Sequence, residues 1–209
     1  AIYGVDGVRA QTLAALNEAF VAARRRGGHY RRVLKELGRI RLSVVDSNLD
    51  CDRGFFASAH RLDSFIMPAH RLQIRDDGRA VGLQVHTLED WEQALKLHLA
   101  RACERGAVVV KPGLASMRSL YYERVTRAEA ERDFAVFFAN EHAPAWRPPL
   151  KAGKALQNHM MHALLRLCDQ RGLTVQVHTG IQEGNGNVIA DADPTNLTNC
   201  LLEYENITF

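Results

Sequence analysis

The apolar positions along the chain follow two spacings. One apolar side chain every three or four positions predicts helices over 9–26, 29–38, 88–105, 127–140 and 154–171, with a last one opening at Pro194. Between them, short continuous apolar runs predict strands at about 40–46, 65–71, 107–111 and 173–177, with a fifth beginning at Ile207. The stretch 46–56 is predicted as a loop and 74–82 as a turn.

Several helix ends carry their own signals. Thr87 is followed three residues later by Asp90, and Thr126 by Glu129, which is the spacing of a capping box. Gly172 stops the helix over 154–171, and Asp193-Pro194 supplies an N-cap and a first-turn proline for the last helix. These signals fix the helix boundaries more sharply than the apolar spacing does.

The order of elements is strand then helix, repeated, and the strands lack polar alternation. That order is typical of a parallel sheet covered by helices, or of a closed barrel. An eight-stranded barrel takes about 250 residues. We therefore expect one partial (β/α)8 barrel domain over 1–209, of the α/β class, with parallel strands and outer helices. Because the chain opens on Ala1 and stops soon after its fifth strand begins, we expect it to be incomplete at both ends.

Composition argues against nucleic acid and membranes as binding partners. The formal net charge of +3 is too small to indicate nucleic-acid binding, and the basic cluster around Arg24–Arg26 is predicted to be a solvated helix end. No apolar run reaches transmembrane length, so we expect no membrane partner. The four cysteines show no Cys-x-x-Cys spacing, and Cys103 and Cys168 fall on apolar helix faces as core thiols, which favours a reducing, cytoplasmic location.

The segment LTVQVHTGIQEGNG, residues 173–186, carries the strongest chemical signal. A buried strand ends at His178 and a glycine-containing loop follows, so the imidazole lies at the strand end where parallel α/β proteins place their chemistry. Imidazole is the commonest transition-metal ligand. The alternative is an ordinary polar residue at a loop mouth. The loop lacks a full Gly-x-Gly-x-x-Gly and opens no helix, which excludes nucleotide binding.

Two further residues follow the preceding strand. Lys111 ends the apolar run AVVV, so its amine is desolvated on one side and suits a Schiff base, a substrate anion or a carboxylated, metal-bridging nitrogen. The alternative is a lysine that extends into solvent. Arg118, with Tyr121 or Tyr122, lies in the loop above and offers a fork for a substrate carboxylate, unless it is a surface arginine.

The remaining histidines give weaker signals. His159 and His162 share one helix face at a spacing that can chelate a metal, but a helix outside a parallel sheet points them away from the strand ends. We therefore predict surface positions for both. His70 ends the predicted strand at 65–71 and is a candidate for the mouth of the site.

The second half of the chain resembles the amidohydrolase superfamily, in its amidohydrolase-related branch of uronate-isomerase-like and decarboxylase-like metalloenzymes. The resemblance rests on a helix, the strand ending in His-Thr-Gly, a glycine-containing loop, and Asp-Pro opening a helix before a further strand. GAVVVKPGLASMRSL followed by TRAEAERDF resembles the preceding βα unit. It covers residues 85–209 well and the first part loosely.

The resemblance implies a barrel that binds one or two divalent metals at the carboxyl ends of its strands. His178 matches the ligand on the fifth barrel strand, and Lys111 lies at the position of the fourth. The chain contains no His-x-His pair, which the family has on its first strand, and the histidine of the sixth strand would follow Phe209. The chain therefore resembles about strands 2 to 6 of such an enzyme.

The function implied is a metal-dependent hydrolase that cleaves a C–N or C–O bond of a small carboxylated substrate through metal-activated water. Zinc is the expected metal and manganese the alternative, with a site left incomplete in this chain, so these 209 residues alone should bind metal weakly or not at all. A decarboxylase, a sugar-acid isomerase, a Schiff-base aldolase using Lys111 and an inactive fragment remain open. An open half-barrel has exposed strand edges, so self-association is also expected.

Overall fold

The structure is a computed structural model, and it describes residues 2–46, 52–139, 153–181 and 188–209. The helices are α1 (Leu13–Arg26), α2 (Asp63–Ile66), α3 (Arg71–Ala80), α4 (Leu88–Glu104), α5 (Arg127–Ala139), α6 (Lys154–Arg171) and α7 (Thr198–Glu203). The strands are β1 (Ser43–Asp46), β2 (Phe56–His60), β3 (Ala107–Val110) and β4 (Thr174–Val175). Short 3₁₀ turns precede α1 and α7 and follow β3, and a π-helix spans Arg31–Leu37.

The described chain divides into two compact units. The first comprises residues 2–45 and 52–57, and the second comprises Asp46 and the described residues from 58 onward. In the first unit, α1 ends at Gly27, whose φ of 70° places it in the left-handed region. Ala23 is the one buried residue of α1. The prediction of one barrel domain over 1–209 stays a prediction.

The strands lie in the sheet in the order β1-β2-β3-β4, which is also their order along the chain. β3 pairs in parallel with both β2 and β4, with Val110 opposite Val175. Beyond β4, the Val175 N–H donates to the Thr208 carbonyl at 2.9 Å, so the ladder continues where a fifth strand is predicted to begin. The parallel α/β class is therefore confirmed, while closure into a barrel remains a prediction.

The core of the second unit lies where α4, α5 and α6 pack against one another and against the sheet. Trp91 stacks on Phe65 at 4.3 Å between ring centroids and donates its indole N–H to the Phe65 carbonyl at 3.2 Å. Val110 and Val175 are 1% and 0% exposed and belong to this core. One face of the sheet is therefore sealed by helices, as expected for a parallel sheet.

Most predicted elements are confirmed, and three helix ends lie where the capping signals predicted them. Thr87 and Asp90 form the predicted capping box at the start of α4, with hydrogen bonds of 3.1 and 2.9 Å. Thr126 and Glu129 do the same before α5. Gly172, at φ 63°, ends α6 at the predicted residue.

The region between β1 and α4 was predicted incorrectly. The stretch 65–71 is not a strand: α2 covers Asp63–Ile66, and α3 runs over Arg71–Ala80 through most of the predicted turn at 74–82. The missing strand is β2, which begins at the last residue of the predicted loop and continues through residues for which no element was predicted. The glycine at position 78 led to the prediction of a turn. Gly78 lies within α3, and the position has no room for a side chain because an added Cβ would come 2.5 Å from Val85 Cγ2.

In the four described ranges, no helix combines the length and the apolar character that crossing a bilayer requires.

Candidate active site at the strand ends

Lys111 and His178 lie just past the carboxyl ends of the neighbouring strands β3 and β4. The Lys111 N–H donates to the His60 carbonyl at 2.9 Å, which ties β3 to β2 just past its end. The His178 N–H donates to the Pro112 carbonyl at 3.1 Å. Parallel pairing therefore continues beyond the regular strands and fixes both residues at one edge of the sheet.

The two side chains also share a face of the sheet. Val110 lies opposite Val175, so Lys111 lies opposite Gln176, two residues before His178. Successive side chains of a strand alternate between faces. Lys111 and His178 therefore both lie on the face opposite the sealed valines, and each residue is half-buried.

One nitrogen of the His178 ring is unpaired within the described residues. Its Nε2 atom is buried and has no hydrogen-bond partner among the described residues. Leaving such a polar atom unsatisfied costs about 1–3 kcal/mol, and an imidazole nitrogen is a common metal ligand. His178 therefore fits a metal as one ligand.

The rest of a metal centre does not appear around it. In the described ranges, no group of three or more His, Cys, Asp or Glu side chains is placed to hold a metal ion. A zinc site needs three or four protein ligands. The described residues thus supply one fitting donor rather than a complete set.

A guanidinium that the sequence did not single out also lies at this edge. Arg61 follows β2, and its Nε donates to Asp63 Oδ2 at 2.9 Å, with Asp46 Oδ1 at 3.8 Å. The other Asp63 oxygen accepts the Gly113 N–H at 2.8 Å. A Cβ added to Gly113 would come 1.7 Å from Arg61 Nη2, so the guanidinium lies directly against this glycine. The Arg-x-Asp signal was missed because no strand was predicted directly before it.

Arg118 is held firmly instead of projecting from the surface. Its Nη1 and Nη2 donate to Gln157 Oε1 at 3.0 Å and Asn158 Oδ1 at 2.8 Å. Nη2 and Nε also donate to the carbonyls of Tyr121 and Ser119, at 3.0 and 2.8 Å. Burial lowers the pKa of Arg118 from its ordinary value. The predicted carboxylate role of Arg118 stays a prediction.

The two tyrosines beside Arg118 differ. The Arg118 guanidinium carbon lies 4.1 Å from the centre of the Tyr122 ring, a cation–π contact. Tyr122 is fully buried, burial raises its pKa to about 12, and its hydroxyl has no partner among the described residues. Tyr121, the predicted substrate-binding residue, is 46% exposed and contacts Arg118 through its carbonyl.

The loops that follow β3 and β4 are joined by backbone hydrogen bonds. Gly180 donates to the Ala192 carbonyl at 2.8 Å, and Leu120 donates to the Asp191 carbonyl at 2.9 Å. The segment just after His178 and the segment just after Arg118 are therefore fixed to the same stretch of chain.

The predicted surface positions of two histidines are wrong. His162 is 2% exposed, with Nδ1 2.9 Å from the Tyr204 hydroxyl and Nε2 2.9 Å from the Tyr122 carbonyl. His159 has a 13% exposed side chain, and its Nε2 lies 2.6 Å from Glu92 Oε1. The reason is that α6 is covered on several sides, by α2, α4 and α5. Neither ring is placed to chelate a metal with the other.

His70 and the cysteines have structural roles. His70 does not end a strand as predicted. It is the N-cap of α3, where its Nδ1 accepts the Gln73 N–H at 3.2 Å. Cys168 is a buried core thiol as predicted, with its pKa raised by burial to about 12. Cys103 is half-buried and packs against the same core, and Cys51 lies outside the described residues.

Comparison with known proteins shows which solved structures share this fold. No family model matches the chain, and no curated protein matches it. A solved structure from Lactobacillus casei, provisionally described as a metal-dependent hydrolase, is similar over 84% of this chain and 45% of its own, at 16% identity and TM-score 0.60. Glucuronate isomerase from Caulobacter crescentus is similar over 96% of this chain and 46% of its own, at 15% identity and TM-score 0.63.

The chain shares its fold with these two proteins over the regions matched. At these identities the likeness concerns the fold alone, and the chain spans less than half the length of either protein. The assignments of Lys111, Arg118, Tyr121 and His178 as site residues therefore remain predictions.

Proposed function

We propose that this chain forms part of a metal-dependent enzyme with an amidohydrolase-like fold, one that hydrolyses a C–N or C–O bond of a small carboxylated substrate. The observation that supports it best is the buried, unpartnered Nε2 of His178 at the end of β4. The position of His178 also favours the proposal, because the active sites of α/β barrel enzymes lie at the carboxyl ends of the strands.

Each residue at the edge has a proposed task. His178 is the proposed metal ligand, in a site for zinc or, alternatively, manganese. A divalent metal bound there supplies a Lewis acid and an activated water. Lys111, on the same face of the neighbouring strand end, is proposed to pair with a substrate anion. Arg118 and Tyr121 are proposed to bind the substrate carboxylate, and Arg61 joins them as a cation fixed against Gly113.

A second candidate is isomerisation of a sugar acid. It is favoured by the likeness to glucuronate isomerase, which extends over 96% of this chain. The two candidates share a demand for cations that bind a carboxylate, and the cations at this edge fit either one. The cytoplasmic location and self-association stay predictions.

The test of the metal site uses the 209-residue chain and Mn²⁺ as a paramagnetic probe, which detects weak binding. We expect Mn²⁺ to broaden the amide NMR signals of residues 176–180 before those elsewhere. His178→Ala should abolish this order, while His86→Ala, a control at an exposed histidine, should preserve it. Broadening that begins elsewhere, or that survives in His178→Ala, contradicts the proposal.

The role of Lys111 has a separate test. Borohydride with a carbonyl substrate traps a Schiff base as a stable covalent adduct, so an aldolase-like enzyme would be labelled at Lys111. We expect no label, because the proposed hydrolase uses the amine to pair with an anion. A peptide modified at Lys111 in the mass spectrum would contradict the proposed hydrolase and favour an aldolase.

A further inference from the structure

Arg118 is a half-buried cation without an ionic partner among the described residues. Its four hydrogen bonds all go to neutral oxygens, those of two backbone carbonyls and two side-chain amides. In the described ranges no carboxylate forms an ion pair with it, and the charged form is disfavoured by burial. A charge that is partly removed from water without a counter-charge is energetically unfavourable.

The acidic groups that interact electrostatically with Arg118, Tyr122 and Cys200, do not balance its charge. Burial raises the pKa of the Tyr122 hydroxyl to about 12 and that of the Cys200 thiol to about 11. Both groups are therefore protonated and neutral at physiological pH. The positive charge of Arg118 remains uncompensated within the described chain.

Two unused hydrogen-bond donors belong to the amide side chains that hold the guanidinium. Gln157 and Asn158 are 2% and 1% exposed, and both turn their amide oxygens to Arg118. Their amide nitrogens, Nε2 and Nδ2, are buried and have no acceptor among the described residues. A guanidinium has five N–H donors, and four hydrogen bonds account for four of those on Arg118. Unused N–H groups around an uncompensated cation form a set of donors that suits a carboxylate.

We propose that Arg118, Gln157 and Asn158 form a carboxylate subsite, in which the two amides are specificity-determining residues that donate to the anion bound at Arg118. The proposal rests on the proposed function for its substrate class, a small carboxylated molecule such as a sugar acid. Arg118 keeps part of its surface exposed, which gives a small anion access to it. The bound carboxylate supplies the missing negative charge and the missing acceptors together.

The test installs a carboxylate inside the subsite. Asn158→Asp keeps the size of the side chain and places a negative charge next to Arg118 Nη2, which lies 2.8 Å from Oδ1 in the native chain. The probe is D-glucuronate, titrated calorimetrically against the full chain in the presence of a chelator. D-glucose at matched ionic strength controls for the uncharged part of the sugar. Asn17→Asp, at an exposed position of α1, is the matched control variant.

We expect the native chain and Asn17→Asp to bind glucuronate and not glucose, and Asn158→Asp to bind it about tenfold more weakly or worse, as expected for hydrogen bonds to a charged group. Equal affinity in Asn158→Asp, equal binding of glucose, or no binding of glucuronate by the native chain overturns the subsite. If Asn158→Asp does not fold, Gln157→Glu makes the same comparison.

The two proposals fail separately. The chelator removes metal from the titration, so the outcome does not depend on His178 holding one. Conversely, the Mn²⁺ experiment contains no carboxylate probe. A chain that binds glucuronate but shows no ordered Mn²⁺ broadening would keep the subsite and lose the metal-dependent function.

Discussion

Gly113 determines where a cation can lie at the end of β3. Its φ of −116° is open to any residue, so the glycine is needed for space and not for its backbone angle. The space is filled by the Arg61 guanidinium, whose Cζ would be 2.7 Å from an added Cβ. A single methyl group at this position therefore competes directly with the Arg61–Asp63 pair.

Gly113→Ala should displace Arg61 at a modest cost. The displaced atoms are the end of a long side chain, and the pair is partly exposed, so we expect a loss of about 1 kcal/mol in the free energy of unfolding. The measurement is a double-mutant cycle in urea with Arg61→Ala. On the Arg61→Ala background, Gly113→Ala should cost almost nothing. An equal cost on both backgrounds would show that the clash involves another group.

His162 links stability to pH. Burial is the main cause that lowers its pKa from 6.5, helped by the charges of Arg124 and Arg166. The unfolded chain therefore takes up a proton at this residue first as the pH falls, and stability declines below about pH 6.5. The contribution is complete above that value and is lost towards the depressed pKa of the folded state.

Urea unfolding between pH 7.5 and 5 measures this effect. We expect the midpoint to fall with pH in the native chain and to fall less in His162→Gln, which keeps an amide for hydrogen bonding but does not titrate. His86→Gln, at an exposed histidine, should behave like the native chain. A pH dependence unchanged in His162→Gln would locate the linkage elsewhere, with His60 as the next group because burial lowers its pKa too.

Single residues were predictable where their chemistry is local. His178 and Lys111 were placed at neighbouring strand ends because an apolar run and the polar residue that ends it are adjacent in sequence. The surroundings of Arg118 were not predictable: Gln157 and Asn158 lie 39 and 40 residues away and look like ordinary polar positions of a helix. Contacts between distant segments leave no local pattern.

At the scale of elements, capping decides where α4 begins. Thr87 accepts the Asp90 N–H at 3.1 Å while Asp90 accepts the Thr87 N–H at 2.9 Å, so two otherwise unpaired donors are satisfied. This pairing is local, which is why the sequence predicted it correctly.

Thr87→Ala should lower the free energy of unfolding by about 1 kcal/mol, within the range of roughly 0.5–2 kcal/mol for lost N-caps. Urea unfolding at neutral pH measures it. Thr179→Ala makes the same chemical change at an exposed threonine and should be close to neutral. A loss equally large in Thr179→Ala would mean that the cap is not its source.

The elements that were predicted incorrectly show what a local pattern omits. In FASAH, the sequence of β2, alanines occupy the buried positions, so the strand lacks the large apolar side chains that mark β3. In α3, Ile74 and Gly78 are buried and lie four residues apart, a helical spacing in which the glycine hides the signal. For Gly78 the small residue is explained by a neighbour in space, Val85.

At the scale of the whole molecule, the two units differ in how much they bury. In α1, Ala23 is buried and Phe20 and Val21 are exposed, whereas α4 buries six side chains. Local opening is cheapest where few apolar contacts hold an element. The sequence predicted both helices equally well, because apolar spacing shows that a face is amphipathic and not whether that face is covered.

Native-state hydrogen exchange should separate the two helices. We expect the amides of α1 to exchange through local opening, with opening free energies well below that of global unfolding. The central amides of α4 should approach the global value. Opening free energies that are equal in α1 and α4 would contradict this and indicate that the two units unfold together.

The strand order β1-β2-β3-β4 has a consequence for biosynthesis. Because sheet order equals chain order, each strand leaving the ribosome pairs with a neighbour that has already been made. Folding can therefore keep pace with translation, since domains generally fold with the N-terminal part first during synthesis. The growing edge is the aggregation-prone part of such a nascent sheet. The helices α5 and α6 are made between β3 and β4 and join α4 in the core on one face of the sheet.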